Sequence, residues 1–298
     1  MARPQGDTRA TAEGRTVAEM IRASLGRLTP TEKRPALALL ASYPVAGLET
    51  VARFAERSGV SGPTVLRLVA KLGLPSYLDF QKRLRDELEL RGQAPLAKAP
   101  PPERKAKKRS DFLGTYASAI VDNIERSVAD VSRADFDSVA DLLSDPRRRI
   151  LLLGGRFTSS LATHFYLHLR ELRPRVELVS GQTAAWVEHL LDAGRNDVLV
   201  VFDIRRFQDD VVAFAREAAA TGARVVLFTD TWVSPIAAVA THVFAMRTSM
   251  PSSWESFAAL SALVEALVVR VHERRWGDSR RRMERLEAFR THLTAGNP

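Results

Sequence analysis

The chain has 298 residues, 45% hydrophobic and 27% charged, enough for about two domains with a core in each and too apolar for long disorder. It has no run of 18 apolar residues to span a membrane, no apolar signal-peptide core in its first ten residues, and no cysteine for disulfides, thiol catalysis or thiolate metal sites; a cytoplasmic protein is expected. The formal charge of +9 is unevenly placed. Residues 1–110 hold 21 Lys and Arg against 11 Asp and Glu, whereas residues 111–298 hold 23 against 24, and every lysine lies at or before Lys108. The first third is expected to meet a polyanion and the remainder to behave as a neutral domain.

Residues 16–28 place Val17, Met20, Ile21, Leu25 and Leu28 at the spacing of one buried helical face. Thr29-Pro30 breaks this helix. A second helix is expected over 31–42, burying Leu37, Leu39 and Leu40, with Pro35 tolerated in its first turns. A third covers 49–57 and a fourth 62–72, closed by Gly73. Between them, Ser58-Gly59-Val60-Ser61 has the properties of a tight helix-turn-helix corner. Gly59 supplies the positive φ of the turn, and Ala55, four residues earlier, lets the helices approach. Val60, Val65, Leu68 and Val69 form the inward stripe, Ser61 can cap the fourth helix, and Pro63 falls in its first turn. The opposite face carries Gly62, Thr64, Arg67, Ala70 and Lys71. In a helix-turn-helix this face enters the major groove, so Ser61, Gly62, Thr64, Arg67 and Lys71 are the expected DNA-contacting residues. The alternative is a helical hairpin with a solvated basic face.

These residues carry a family resemblance. Leu28-Thr29-Pro30-Thr31-Glu32-Lys33-Arg34, Gly59-Val60-Ser61, Thr64-Val65, Arg67, Lys71-Leu72-Gly73 and Tyr77-Leu78-Asp79-Phe80 resemble the N-terminal domain of the MurR/RpiR transcription regulators over about residues 16–90. The resemblance implies a head that binds double-stranded operator DNA, joined by a linker to a sugar isomerase (SIS) domain that senses a small molecule, usually a phosphosugar.

Residues 93–109 hold four prolines and a basic run and read as a semi-rigid linker that either assists DNA binding or simply separates the domains. Beyond it the chain alternates. Helices are expected at 112–129 and 135–143, strands at 149–153, 176–179, 198–202, 224–229 and 242–246, helices at 159–172, 186–191 and 209–221, a short helical stretch at 236–240, a long apolar helix at 253–272 and a basic one at 279–293. Continuous β-branched runs followed by helices mean a buried parallel sheet covered on both faces, with ligands at the carboxyl ends of its strands. The expected architecture is thus an all-α helix-turn-helix head (1–92), a linker (93–109) and an α/β SIS domain (110–298): a flavodoxin-like, five-stranded parallel sheet in three α/β/α layers.

The strand ends supply the candidate effector site. Gly154, Gly155, Arg156, Thr158, Ser159 and Ser160 join the first strand to a helix N-terminus, where glycines admit a ligand and hydroxyls can bond an anion. After the third strand, where phosphosugar-binding SIS domains present a Ser-x-Ser-Gly-x-Thr loop, this chain has Asp203, Ile204, Arg205, Arg206, Phe207 and Gln208. Asp203, Arg205 and Gln208 stand in place of hydroxyls and Arg206 in place of glycine. The arginines either hold an anion or fill the pocket through ion pairs. A sugar-phosphate isomerase also needs a base; His164, His168, Glu188 and His189 are the candidates, and His164 and His168 share a helix face. Neither arrangement completes a catalytic or metal site, so no catalysis, metal or cofactor is expected. The expectation is a homodimer or tetramer assembled through the SIS domain, binding operator DNA through its heads and an anionic or sugar-derived effector, with no membrane partner.

Overall fold

The computed structural model describes residues 16–41, 43–92 and 111–295; the expected linker at 93–109 lies outside them. The chain separates into two compact units, Met1–Ala94 and Pro95–Pro298.

The N-terminal unit is helical: α1 Val17–Ser24, α2 Pro30–Ala41, α3 Val51–Ser58, α4 Gly62–Lys71 and α5 Tyr77–Gly92. Side chains start the first three. In α1 the Thr16 hydroxyl accepts from Glu19 N while the Glu19 carboxylate accepts from Thr16 N, a reciprocal cap. Thr29 and Glu32 repeat this arrangement at α2. Thr50 caps α3 through Arg53 N. Gly59 ends α3 with φ at 62°, and the N–H groups of Gly59 and Val60 return to Glu56 O and Ala55 O, so the turn needs the conformation that glycine alone adopts freely. Ile21, Leu39, Phe54, Val65, Leu68, Phe80 and Leu84 form the core. Two sequence expectations are corrected. Leu37 is 53% exposed rather than buried, because the inward stripe of α2 runs through Pro35, Ala36 and Leu39. Ser61 precedes α4 in extended conformation but makes no capping bond; its hydroxyl faces the Thr64 hydroxyl instead, at 3.1 Å.

The C-terminal unit begins with α6 Phe112–Asp130 and α7 Arg133–Ser144. It continues with β1 Arg149–Gly154, α8 Ser159–Leu172, β2 Val176–Leu178, the single turn α9 Thr183–Trp186, β3 Asp197–Phe202, α10 Asp209–Ala220, β4 Arg224–Asp230, β5 His242–Met246, α11 Ala258–Arg274 and α12 Trp276–Ala295. The five strands are all parallel in the order β2-β1-β3-β4-β5. Alternate strand residues face opposite layers. Ile150, Leu152, Val198, Val200, Val226 and Phe228 meet α7, α8 and α11, whereas Leu151, Leu153, Leu199, Val201, Val225 and Leu227 meet α10. The helices after β1 and β3 therefore leave toward opposite faces, opening a crevice at the strand ends between them. The long apolar helix starts at Ala258, not 253, because residues 251–257 turn so that Glu255 points toward Thr248 and Arg205.

Candidate DNA-reading face and effector cleft

In the N-terminal unit the outward face of α4 presents Gly62, Leu66, Arg67, Ala70 and Lys71. Thr64 is corrected: it is 2% exposed, and its hydroxyl accepts from Arg67 Nη2 at 3.0 Å, so it orients Arg67 rather than facing outward. Lys71 is exposed, yet its ammonium donates to Glu32 Oε2 at 2.7 Å. Bonding to Lys71 and to the α2 cap holds the Glu32 carboxyl down at about 2. Arg34, also on α2, donates to Gly59 O at 3.1 Å. Thus α2 grips the last residue of α4 and the corner before its first turn. Leu66, 46% exposed, was not anticipated; its signal in the sequence is an apolar residue off the inward stripe, at helical spacing from Gly62 and Ala70.

In the C-terminal unit an open cleft of about 450 Å³ lies at the ends of β1 and β2. Gly154, Gly155 and Arg156 form one wall, Ser159 and Thr163 of α8 another, Ser180, Thr183 and Trp186 a third, and Gln208 and Asp210 lead into α10. A Cβ on Gly154 would stand 2.5 Å from the backbone of Thr158 and Ser159, so only glycine fits the approach of strand to helix.

Of the sequence-predicted effector residues, Gly154, Gly155, Arg156, Ser159 and Gln208 line this cleft; the other five do not. Thr158 is buried, accepting from Gly155 N at 2.8 Å and donating to Phe202 O at 2.7 Å. Ser160 donates to Phe157 O. Asp203 is buried and accepts from the Ser234 hydroxyl. Arg205, its side chain 7% exposed, pairs with Glu255 at 3.2 Å, and its backbone N–H donates to Asp230 Oδ2 at 2.7 Å. Arg206 takes φ of 64°, keeping the left-handed backbone that a glycine would adopt there, at a cost of roughly 1–2 kcal/mol for an L-residue. The loop thus follows a glycine-type path, with Asp203 bonded to Ser234, Arg205 paired with Glu255, and the Arg206 side chain exposed.

The electrostatics at the end of β4 follow from burial. Asp230 is fully buried, which with the nearby Glu255 charge raises its carboxyl to about 7. Burial also raises Glu255 and lowers Arg205, the penalties their pairing offsets. Missed in the sequence were Thr163, Ser180, Thr183, Trp186 and Asp210. Asp210 is an acid in the first turn of α10, a position also explained by the helix dipole, so it carried no separate signal. Among the described residues none of His164, His168, Glu188 and His189 lines the cleft, and no group of three or more His, Cys, Asp or Glu could hold a metal. No described helix is long and apolar enough to cross a membrane.

Comparison with protein families matches residues 142–270 to the SIS domain. This region is a SIS domain. Among solved structures, the sugar isomerase domain of an RpiR transcription factor from Sphaerobacter thermophilus is similar, with 19% identity and a TM-score of 0.56, covering 60% of this chain and 99% of that one. The Vibrio vulnificus NanR protein, complexed with ManNAc-6P, is 16% identical with a TM-score of 0.53, covering 93% of this chain and 98% of that one. A Methanococcus jannaschii protein with an inferred 3-hexulose-6-phosphate isomerase function is 12% identical, with a TM-score of 0.45 over 59% of this chain and 97% of that one. No curated protein matches the chain in sequence. The similarity to NanR covers more of the chain than the SIS-containing unit alone, so the shared fold extends into the N-terminal helices.

Proposed function

We propose that the protein is a DNA-binding transcriptional regulator whose SIS domain takes a small, sugar-derived metabolite in the cleft and changes operator affinity when it does. The observation that carries this reading is the α3–Gly59–α4 corner with a basic, outward α4, followed in the same chain by a SIS domain with an open cleft. Arg67, oriented by Thr64, is the main candidate for a base edge, and Leu66 suits an apolar contact with a thymine methyl group. Gly62 and Ser61 lie at the start of α4, where backbone N–H groups approach phosphates. Lys71 adds a phosphate contact, moderated by Glu32. The likeness to RpiR and NanR structures supports a regulator fold, and the absence of the four candidate bases from the cleft lining favours sensing over catalysis. Assembly into a homodimer through the SIS domain would place two heads on a palindromic operator.

The test is selection of genomic fragments by the full chain, followed by electrophoretic shift. Arg67→Ala should weaken the selected site by about 1–3 kcal/mol and relax specificity at one position. Failure to enrich any duplex, or binding by Arg67→Ala that matches the parent, removes the DNA-reading assignment.

A further inference from the structure

The first half of α6 carries an apolar arc that its own unit leaves largely exposed. Leu113, Ala117, Ile120, Val121, Ile124 and Val128 recur at helical spacing and share one side of the helix. The later part of this helix is held by the unit. Ile124 packs against the core on one face of the sheet, Asn123 Nδ2 donates to Ser249 O at 2.8 Å, and the Ser127 hydroxyl accepts from Arg247 N at 2.8 Å. The earlier part is not covered in this way: Leu113 is 75% exposed, Val121 51% and the adjoining Phe112 72%, with Ala117 exposed between them. The helix is nonetheless regular from its first turn, where the Asp111 carboxylate accepts from Gly114 N at 2.9 Å. In water a helix is stabilised chiefly by the apolar face it buries, and adjoining exposed apolar side chains mark a surface that another molecule covers.

The chain outside the described residues does not supply that cover. Residues 1–15, 93–110 and 296–298 hold Met1 and Leu96 as their only large apolar side chains. A second copy of the chain does supply it. Residues 111–298 hold 23 Lys and Arg against 24 Asp and Glu, so two C-terminal units approach without net repulsion. The exposed row is also self-complementary. Ala117 lies midway between Leu113 and Val121, so an antiparallel pair crossing at Ala117 sets Leu113 of each copy against Val121 of the other, with the small side chain at the closest approach.

We infer that α6 is the contact between two copies of this chain, paired antiparallel through Leu113, Ala117 and Val121; the inference rests on the homodimer reading above and gives it a place. A standard interface covers about 800 Å² on each partner, more than one helical row provides. Leu167 of α8 and Val269 of α11 add exposed apolar surface on the same side of the sheet. Pairing at α6 also sets how far apart the two chains enter their C-terminal units. Asp111 precedes Ala117 by six residues, about 9 Å along the helix, so the two starts of α6 stand about 18 Å apart.

The chain has no cysteine, which makes cross-linking specific to an introduced thiol. A disulfide closes only where two Cα atoms come within about 7 Å. In the full chain, Ala117→Cys should therefore link to its counterpart under mild oxidation and run at twice the 33.0 kDa chain mass on a non-reducing gel. Ala213→Cys, exposed on α10 at the opposite face of the sheet, is the control and should stay single. Leu113→Glu combined with Val121→Glu should weaken association about tenfold or more by sedimentation equilibrium, with far-ultraviolet circular dichroism unchanged because both side chains are exposed. The cross-link decides the matter if that double variant unfolds. A parent that sediments as a monomer, an Ala117→Cys chain that links no faster than the control, or a folded double variant that associates like the parent overturns the assignment. A dimer joined at α6 that selects no duplex would remove the regulator reading alone; a duplex-binding dimer that survives the α6 substitutions would remove this assignment alone.

Discussion

Replacing Arg205 by methionine tests whether that side chain is structural or ligand-facing. Its side chain is 7% exposed and that of Glu255 15% exposed, so both charges are largely out of water. Methionine conserves most of the volume and removes the charge, leaving Glu255 beside the fully buried Asp230 with one cation fewer. Breaking a buried pair costs about 3–5 kcal/mol. Glu255 keeps its bond from the Thr248 hydroxyl at 3.0 Å and some contact with water, which places the expected loss near the lower end, about 3 kcal/mol. All four tryptophans, Trp186, Trp232, Trp254 and Trp276, lie in the C-terminal unit, so their fluorescence reports its unfolding alone. With a urea slope of roughly 3 kcal/mol per M for a unit of this size, the midpoint at pH 8 should fall by about 1 M. At pH 5.5 the loss should be smaller, because Asp230, at about 7, is then protonated and the raised Glu255 carboxyl carries less charge. A midpoint that falls by less than about 0.3 M at pH 8 would match a solvated surface bridge and refute the reasoning, returning the guanidinium to the candidates for anion binding.

Asp230 makes a second prediction. Its folded carboxyl titrates near 7 against a reference of 3.8, so the stability linked to it is full below about 4 and is lost as pH rises through 7. The urea midpoint of the C-terminal unit should therefore decline between pH 5 and pH 8, and Asp230→Asn should flatten that slope. Gly154→Ala should destabilise the same unit by about 1–3 kcal/mol or more, since its Cβ meets backbone rather than a movable side chain; Gly155→Ala, which meets the movable Gln208 side chain, should be milder in the same melting assay. Glu32→Gln should lower the stability of the N-terminal helices by about 1 kcal/mol, read by circular dichroism as the tryptophan-free part of the melt, and weaken duplex binding by displacing α4.

The central strands β1, β3 and β4 were legible because each is a short apolar run bounded by turn residues, and buried parallel strands need no alternation to be recognised. The Gly59 corner was legible because a left-handed turn leaves few residue choices. Less visible was α5, whose inward face includes Glu87 along with Phe80 and Leu84; a buried acid held by the Tyr43 hydroxyl and Val17 N interrupts the apolar period. Thr64 was misread because a hydroxyl looks equally suited to solvent, and only packing shows it buried, with its oxygen accepting from Arg67. The loop from Asp203 to Gln208 announced its departure from a hydroxyl-rich pattern, but its partners Ser234, Asp230 and Glu255 are distant in sequence. A charged residue in a loop cannot by itself reveal whether it faces a ligand or a buried counter-charge.

Glu32 has a consequence for how the head comes apart. Its carboxylate closes the first turn of α2 and holds the last residue of α4, so neither end can fray without releasing the other. Two helix termini that would otherwise open independently share one opening event. Backbone amides 39 residues apart in sequence are thereby coupled, and the surface assigned to DNA should exchange more slowly than a helix end without such a tie, by the modest amount that one half-exposed ion pair supplies.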